Sequence, residues 1–198
     1  MNFKYKLPPG YSLRVMTDAE FDPLFRKHGK KIFNDDSLMY DRSDVLTKTE
    51  IAQYKKLREN FKSPSHIVID LGLFFDNKFV GWSWGYQETP LTFYMCNSAV
   101  LPAHRCKGLY NCLMKEMLNR TTKIGFDKIY SRHMITNNDI LIAKLKQGFK
   151  ITHFELSETF GTMVHLSFYK SKTKNEILDF RSGHKRPTKK IERIFNLT

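Results

Sequence analysis

Apolar and polar residues alternate from Tyr11 to Met16, the period of a strand with one covered face. Thr17-Asp18-Ala19-Glu20 follows. A hydroxyl that caps a helix, with a carboxylate three residues on to return the bond, predicts a helix running from here toward Phe33. Asn34-Asp35-Asp36-Ser37 breaks that helix. A helical pattern resumes over Thr47 to Phe61, with Ile51, Tyr54, Leu57 and Phe61 on one side, and Pro64 stops it. His66 to Phe75 and Lys78 to Gln87 are rich in β-branched and aromatic residues and flank the turn formers Asp76-Asn77, which predicts an antiparallel hairpin. A third such run, Leu91 to Leu101, begins after Pro90 and makes a meander of the three.

The pattern then changes. Pro102 to Gly108 is a basic loop, Leu109 to Lys123 reads as a helix, Lys128 to Met134 as a short strand, and Asn137 to Gln147 as a helix ended by Gly148. Lys150 to Glu158 and Thr162 to Tyr169 close a second hairpin around Gly161. The sum is an α/β fold with a mixed, mostly antiparallel sheet of about six to seven strands flanked by about four helices. The one boundary falls near Lys170, dividing a domain of residues 1–169 from a basic C-terminal extension, 170–198.

Length and composition fit one soluble globular domain: 198 residues, 41% hydrophobic and 27% charged. The richest apolar run, Ile67 to Phe75, is short and contains Asp70, so no membrane span is expected. Met1 to Tyr11 lacks the apolar block of a secretory signal, which makes the cytoplasm the expected compartment. Cys96, Cys106 and Cys112 are odd in number and sparse, as reduced thiols are. His104, Cys106 and Cys112 match no familiar metal-ligand spacing, so no metal is expected. Net charge is +13, and the segment from Lys170 to Thr198, with nine basic and three acidic residues, carries +6 of it. Such a field attracts polyanions. Weak contact between the tail and nucleic acid stands beside the plainer reading of a solvated tail.

The candidate chemistry lies around residue 108. Tyr110, Leu113, Met114, Met117 and Leu118 repeat at helical spacing and bury one face of their helix, fixing its N-terminus against the sheet. The first amides of that helix lack intrahelical acceptors, and the helix dipole adds positive charge. Arg105 and Lys107 add more, and Gly108 lets backbone approach an anion. A phosphate suits this place. The sequence contains neither the G-x-x-x-x-G-K-[ST] loop nor the dinucleotide G-x-G-x-x-G pattern.

Val100-Leu101-Pro102-Ala103-His104-Arg105-Cys106-Lys107-Gly108-Leu109-Tyr110 resembles the strand end, proline and [QR]-x-x-G-x-[GA] pyrophosphate loop of the GNAT superfamily of acyl-CoA-dependent N-acyltransferases. Asn137 followed by Gly148-Phe149 matches that superfamily's N-x(10)-G-F, and the order of elements agrees. The similarity is best from about Phe79 to Tyr169. It implies acetyl-CoA as co-substrate. Its pantetheine arm would pair with the backbone of Ser98, Ala99 and Val100. Its pyrophosphate would be held by the amides of Cys106 to Asn111, a stretch that includes Lys107, Gly108, Leu109 and Tyr110, with Arg105 adding charge. Asn137 would contact the arm near the thioester.

Three positions depart from the family pattern. Tyr110 stands where the loop usually ends on a small residue, Lys144 where a tyrosine general acid is frequent, and Tyr94 where a carboxylate base is common. Glu88 and His133 are the candidates for a base acting through water, set against plainer readings as a solvated loop acid and a packed strand residue. Cys96 reads as a small buried residue rather than a nucleophile, and Trp82, Trp84 and Tyr86 as core rather than acceptor pocket. The function expected is acetyl transfer to a primary amine, a small molecule or a peptide, by direct attack. The basic field suits a neutral or acidic amine, or one presented by a ribonucleoprotein, better than a polycation such as spermidine. The alternatives are a non-catalytic acyl-CoA sensor and a nucleic-acid-associated interaction protein.

Overall fold

The computed structural model of the chain describes residues 2–33, 46–61 and 66–197. The expected breaks at 34–37 and at Pro64 lie outside the described residues. Elements follow in the order β1 (Tyr11–Met16), α1 (Asp18–Phe33), α2 (Lys48–Phe61), β2 (Val68–Phe75), β3 (Lys78–Thr89), β4 (Thr92–Val100), α3 (Leu109–Ile124), β5 (Lys128–Met134), α4 (Asn138–Lys146), β6 (Lys150–Ser157) and β7 (Gly161–Tyr169). Two further helices, α5 (Lys172–Arg181) and α6 (Lys189–Phe195), end the chain. The strands form one seven-stranded sheet in the order β1-β2-β3-β4-β5-β7-β6, antiparallel throughout except for the β4–β5 pair.

Local chemistry sets the start of α1. The Thr17 amide donates to Glu20 Oε2 at 2.9 Å while the Glu20 amide donates to Thr17 Oγ1 at 3.4 Å, a reciprocal cap. Thr47 and Glu50 repeat the arrangement before α2. Ile51 and Tyr54 of α2 nonetheless remain exposed.

Helices cover both faces of the sheet. On one, Leu109, Leu113, Met114, Met117 and Leu118 of α3 pack on Ile69, Leu71 and Leu73 of β2 and on Phe93 and Met95 of β4. On the other, Phe21, Leu24 and Phe25 of α1 pack with Met16, Phe74, Phe79 and Trp82. Burial on both faces explains why β2 is apolar almost without interruption rather than alternating. Trp82 and Trp84 meet Phe25 edge to face and line neither of the cavities described below, which agrees with their reading as core.

The basic extension is not a solvated tail. Lys170 Nζ donates to Thr122 O at 3.0 Å and Lys174 pairs with Asp127. Asp179 holds Lys150 of β6 on one oxygen and Lys185 on the other. Ile191 of α6 is buried, and Phe180 meets Phe195 at 5.5 Å. The physical reason is charge pairing between the segment and the domain, together with an apolar seam at Phe180, Ile191 and Phe195 that the charge count hides.

Candidate functional site

Strands β4 and β5 start together and then part. Their parallel pairing covers only Thr92 to Tyr94 against Lys128 to Tyr130, whereas β4 stays paired to β3 as far as Val100. The cause is visible in the register. Trp84 faces Asn97 and Gly85 faces Met95, so Cys96 is an extra residue that bulges β4 and turns it away from β5. Gly85 permits this, since a Cβ there would lie 2.2 Å from Tyr94 O. Beyond the bulge one edge of β4, including Ser98, Ala99 and Val100, has no strand partner among the described residues.

That open edge leads to the loop before α3. A short 3-10 turn, Pro102–His104, gives way to Cys106 at φ 60° and Gly108 at φ 73°. The Arg105 side chain turns back, Nε donating to Val100 O at 3.0 Å, and Lys107 Nζ reaches Tyr11 Oη at 3.3 Å. The Cys112 amide donates to Gly108 O, so the amides of Leu109, Tyr110 and Asn111 open α3 without intrahelical acceptors. No atom lies within 4 Å of where a Gly108 Cβ would stand, leaving the backbone clear to an incoming anion.

Two cavities lie along this path. The first, of about 500 Å³, is lined by Ser98, Ala99, Val100, Arg105, Cys106, Gly108, Leu109, Tyr110, Asn111 and Asn137, nearly all of the expected cofactor residues, while Lys107 stands beside it. The second, of about 570 Å³, fills the gap between β4 and β5. Ser98, Tyr110, Asn137 and Ile140 line both, so the two are continuous. Tyr110 is half-buried, packs against the core and stands at the junction rather than over the loop amides. Asn137 occupies the N-cap position of α4 yet its side chain caps nothing, which leaves the amide available at the same junction.

The candidate bases fare differently. Glu88 lines neither cavity; it is exposed and accepts a 2.5 Å hydrogen bond from Tyr130 Oη. His133 does line the second cavity, with Nε2 2.9 Å from Ser131 Oγ. Burial, assisted by the Lys144 charge, pushes its pKa down to about 3, so it is neutral and weakly basic at physiological pH. Cys96 is pushed up to about 12 by burial, which keeps it a thiol. Among the described residues no three His, Cys, Asp or Glu side chains come together as a metal set. His104 is engaged by Tyr11 Oη and Cys112 by the Lys6 carbonyl.

The candidate sites omit three residues that line the second cavity, Arg132, Lys144 and Glu155. Arg132 donates to Tyr94 Oη at 3.1 Å and to both Glu155 oxygens at 3.4 Å, and His165 Nε2 lies 2.7 Å from Glu155 Oε2. These groups neutralise one another. Lys144 does not share in that. It is 1% exposed, its Nζ lies 3.8 Å from Met95 Sδ and 4.6 Å from the Phe149 ring centre, and burial lowers its pKa to about 7. Its spacing from Asn137 and Leu141, seven and three residues, was the signal available in the sequence.

The model of the acetyltransferase (GNAT) family matches residues 31–149, well over half of the chain. No curated protein sequence matches. Among solved structures, the ribosomal-protein-S18-alanine N-acetyltransferase from Escherichia coli aligns at TM-score 0.58 and 11% identity, over 81% of this chain and 94% of that one. YncA from Salmonella typhimurium, solved with its cofactor acetyl-CoA, aligns at 0.57 and 13%, over 82% and 95%. Ard1 from Thermoplasma volcanium aligns at 0.55 and 14%, over 82% and 99%. At these identities the likeness is one of fold.

Proposed function

The chain belongs to the acetyltransferase (GNAT) family, and from that premise we propose that it transfers the acetyl group of acetyl-CoA to a primary amine by direct attack. The observation that carries the reading is the unpaired β4 edge running from the interstrand cavity to the open amides of α3. The residues there fit the co-substrate: an extended arm completes the β4 edge at Ser98 to Val100, and a diphosphate meets the amides around Gly108 with Arg105 and Lys107 beside it. Asn137 reaches the arm at the junction of the cavities. The thioester, carried into the wider cavity, supplies an activated acyl group to an amine entering from the Arg132 and Glu155 side.

Calorimetry with coenzyme A and acetyl-CoA, followed by thiol release with a panel of small amines and peptides, tests this. Binding together with acceptor-dependent release is expected, both much weakened in Gly108→Glu; absence of heat with either form overturns the reading. A binder without turnover is the competing reading. Neutral His133 and the position of Glu88 outside the cavities favour it, and heat without thiol release for any amine would establish it.

A further inference from the structure

The wider cavity carries two opposite charges on its wall, and they are only loosely joined. Arg132 of β5 stands opposite His165 of β7, and Glu155 of β6 stands opposite Met163 of β7, so both side chains rise from the same face of the sheet. Arg132 Nη1 lies 3.4 Å from each Glu155 oxygen, whereas a guanidinium–carboxylate bond ordinarily closes to about 2.7–2.9 Å. Each group is anchored elsewhere. Arg132 Nε donates to Tyr94 Oη at 3.1 Å, and Glu155 Oε2 lies 2.7 Å from His165 Nε2. Nη2 of Arg132 has no protein acceptor among the described residues. The two side chains are 36% and 29% exposed and line the cavity, so both offer polar atoms to a ligand lodged there. Glu155 is the one carboxylate lining that cavity among the described residues, and its hydrogen bond to His165 holds it below the usual carboxylate range, hence ionised at neutral pH.

We propose that the acceptor is an apolar α-amino acid, its carboxylate taken by Arg132 and its ammonium by Glu155. The inference rests on the acetyl-transfer reading above and names the substrate class of that site. An α-amino acid carries its two charges one carbon apart, which suits protein charges that nearly touch. It replaces one long pair with two short ones and brings no net charge into the cavity. A plain amine would instead compete for Glu155 and leave the guanidinium without a counter-ion. The surroundings set the side chain. Met134 pairs with Met163 on the same face, beside the two charges, and Phe33 of α1 and Phe160 of the β6–β7 turn also line the cavity. A volume of about 570 Å³ holds an amino acid of phenylalanine's size beside the acetyl group. In the transfer, one ammonium proton leaves to water and the freed nitrogen pair forms the bond to the thioester carbonyl carbon. The carbon–sulfur bond breaks, and the thiolate takes the second proton that nitrogen loses, giving the N-acetyl amino acid and coenzyme A.

The test measures thiol release from acetyl-CoA with L-phenylalanine and L-methionine, each beside its methyl ester, its amide and the decarboxylated amine. The free amino acids are expected to exceed the other three in kcat/KM by on the order of tenfold to a hundredfold, as loss of a charged hydrogen bond dictates. In Arg132→Gln that advantage shrinks toward unity, and in Arg132→Lys, which keeps the charge without the fork, it is intermediate. Glu155→Gln raises KM for the amino acids and the decarboxylated amines alike. Calorimetric binding of coenzyme A to each variant shows that it is folded. Equal kcat/KM for acid, ester and decarboxylated amine overturns this inference alone, as does an advantage that survives Arg132→Gln. Peptides turned over faster than the free amino acids overturn it in favour of a peptide acceptor. Binding of acetyl-CoA without thiol release for any amine overturns it together with the transfer reading, and absence of binding overturns the cofactor reading as well.

Discussion

Lys144 and Phe149 meet twice: the Phe149 amide donates to the Lys144 carbonyl at 3.2 Å, and the Lys144 Nζ lies 4.6 Å from the centre of the Phe149 ring. The turn that ends α4 thus presses an amine into the apolar wall of the cavity. A group whose folded pKa, about 7, lies below its unfolded value binds fewer protons in the native state over the interval between them. Stability then rises with pH from about 7 toward 10.4 and is lowest below 7. Lys144→Met is expected to stabilise the protein at pH 6 by up to roughly 4 kcal/mol, with the gap closing by pH 10. Urea unfolding at both pH values checks this, and a gap independent of pH would contradict it.

His133 gives a second pH signature. Its folded pKa of about 3 lies below the unfolded value, so stability falls as pH drops from about 6.5 toward 3 and is unaffected above. Its imidazole resonances should stay fixed from pH 8 to pH 5 in an NMR titration. Movement with a midpoint near 6.5 would show that it is accessible to protons and restore it as a base.

Asp70 works in the opposite direction. Burial, with Asp18 and Asp22 nearby, raises its pKa to about 6, so the native state binds the extra proton and stability falls as pH rises from about 4 to about 6. Asp70→Asn is expected to raise stability at pH 8 by roughly 2 kcal/mol and to change little at pH 4. Thermal unfolding at the two values decides it; equal effects would remove the carboxylate as the cause.

Gly108 separates conformational strain from ligand obstruction. At φ 73° an alanine costs about 1 kcal/mol of stability, although its Cβ meets no neighbour. Gly108→Ala should therefore lower the unfolding midpoint modestly while retaining coenzyme A, and Gly108→Glu should weaken binding by about a hundredfold through charge at the anion site. Equal affinity in the two variants, measured by calorimetry, would move the anion elsewhere.

The C-terminal extension contributes to the fold. Ile191→Ala removes a buried side chain and should cost roughly 2 to 3 kcal/mol, with a matching drop in denaturant midpoint. Its stability matching that of the parent chain would mean that α6 is undocked in solution.

Much of this was legible beforehand because it is local. Thr17 and Glu20 close a cap within one turn, Asp76-Asn77 sits between two apolar runs, and both residues adopt positive φ as a tight hairpin turn requires. Asn137 and Gly148-Phe149 mark the ends of one helix, and Gly108 opens another. The partner of Glu88 is one that no local pattern contains: Tyr130 comes from a strand far along the chain.

The sequence by itself determined the elements, their order and the glycine loop that opens α3, because spacing, caps and turn residues act over a few positions. The tertiary structure alone decided what enters the cavity. Hydrophobicity would bury Leu145 and Ile142 and expose Lys144, yet both apolar residues are exposed and the lysine is enclosed. A nine-residue helix has one face to offer, and Lys144 on that face meets Met95 of β4, next to the bulge at Cys96 beyond which β4 and β5 part. That parting depends on contacts between residues distant in the chain, which periodicity within any one segment does not encode.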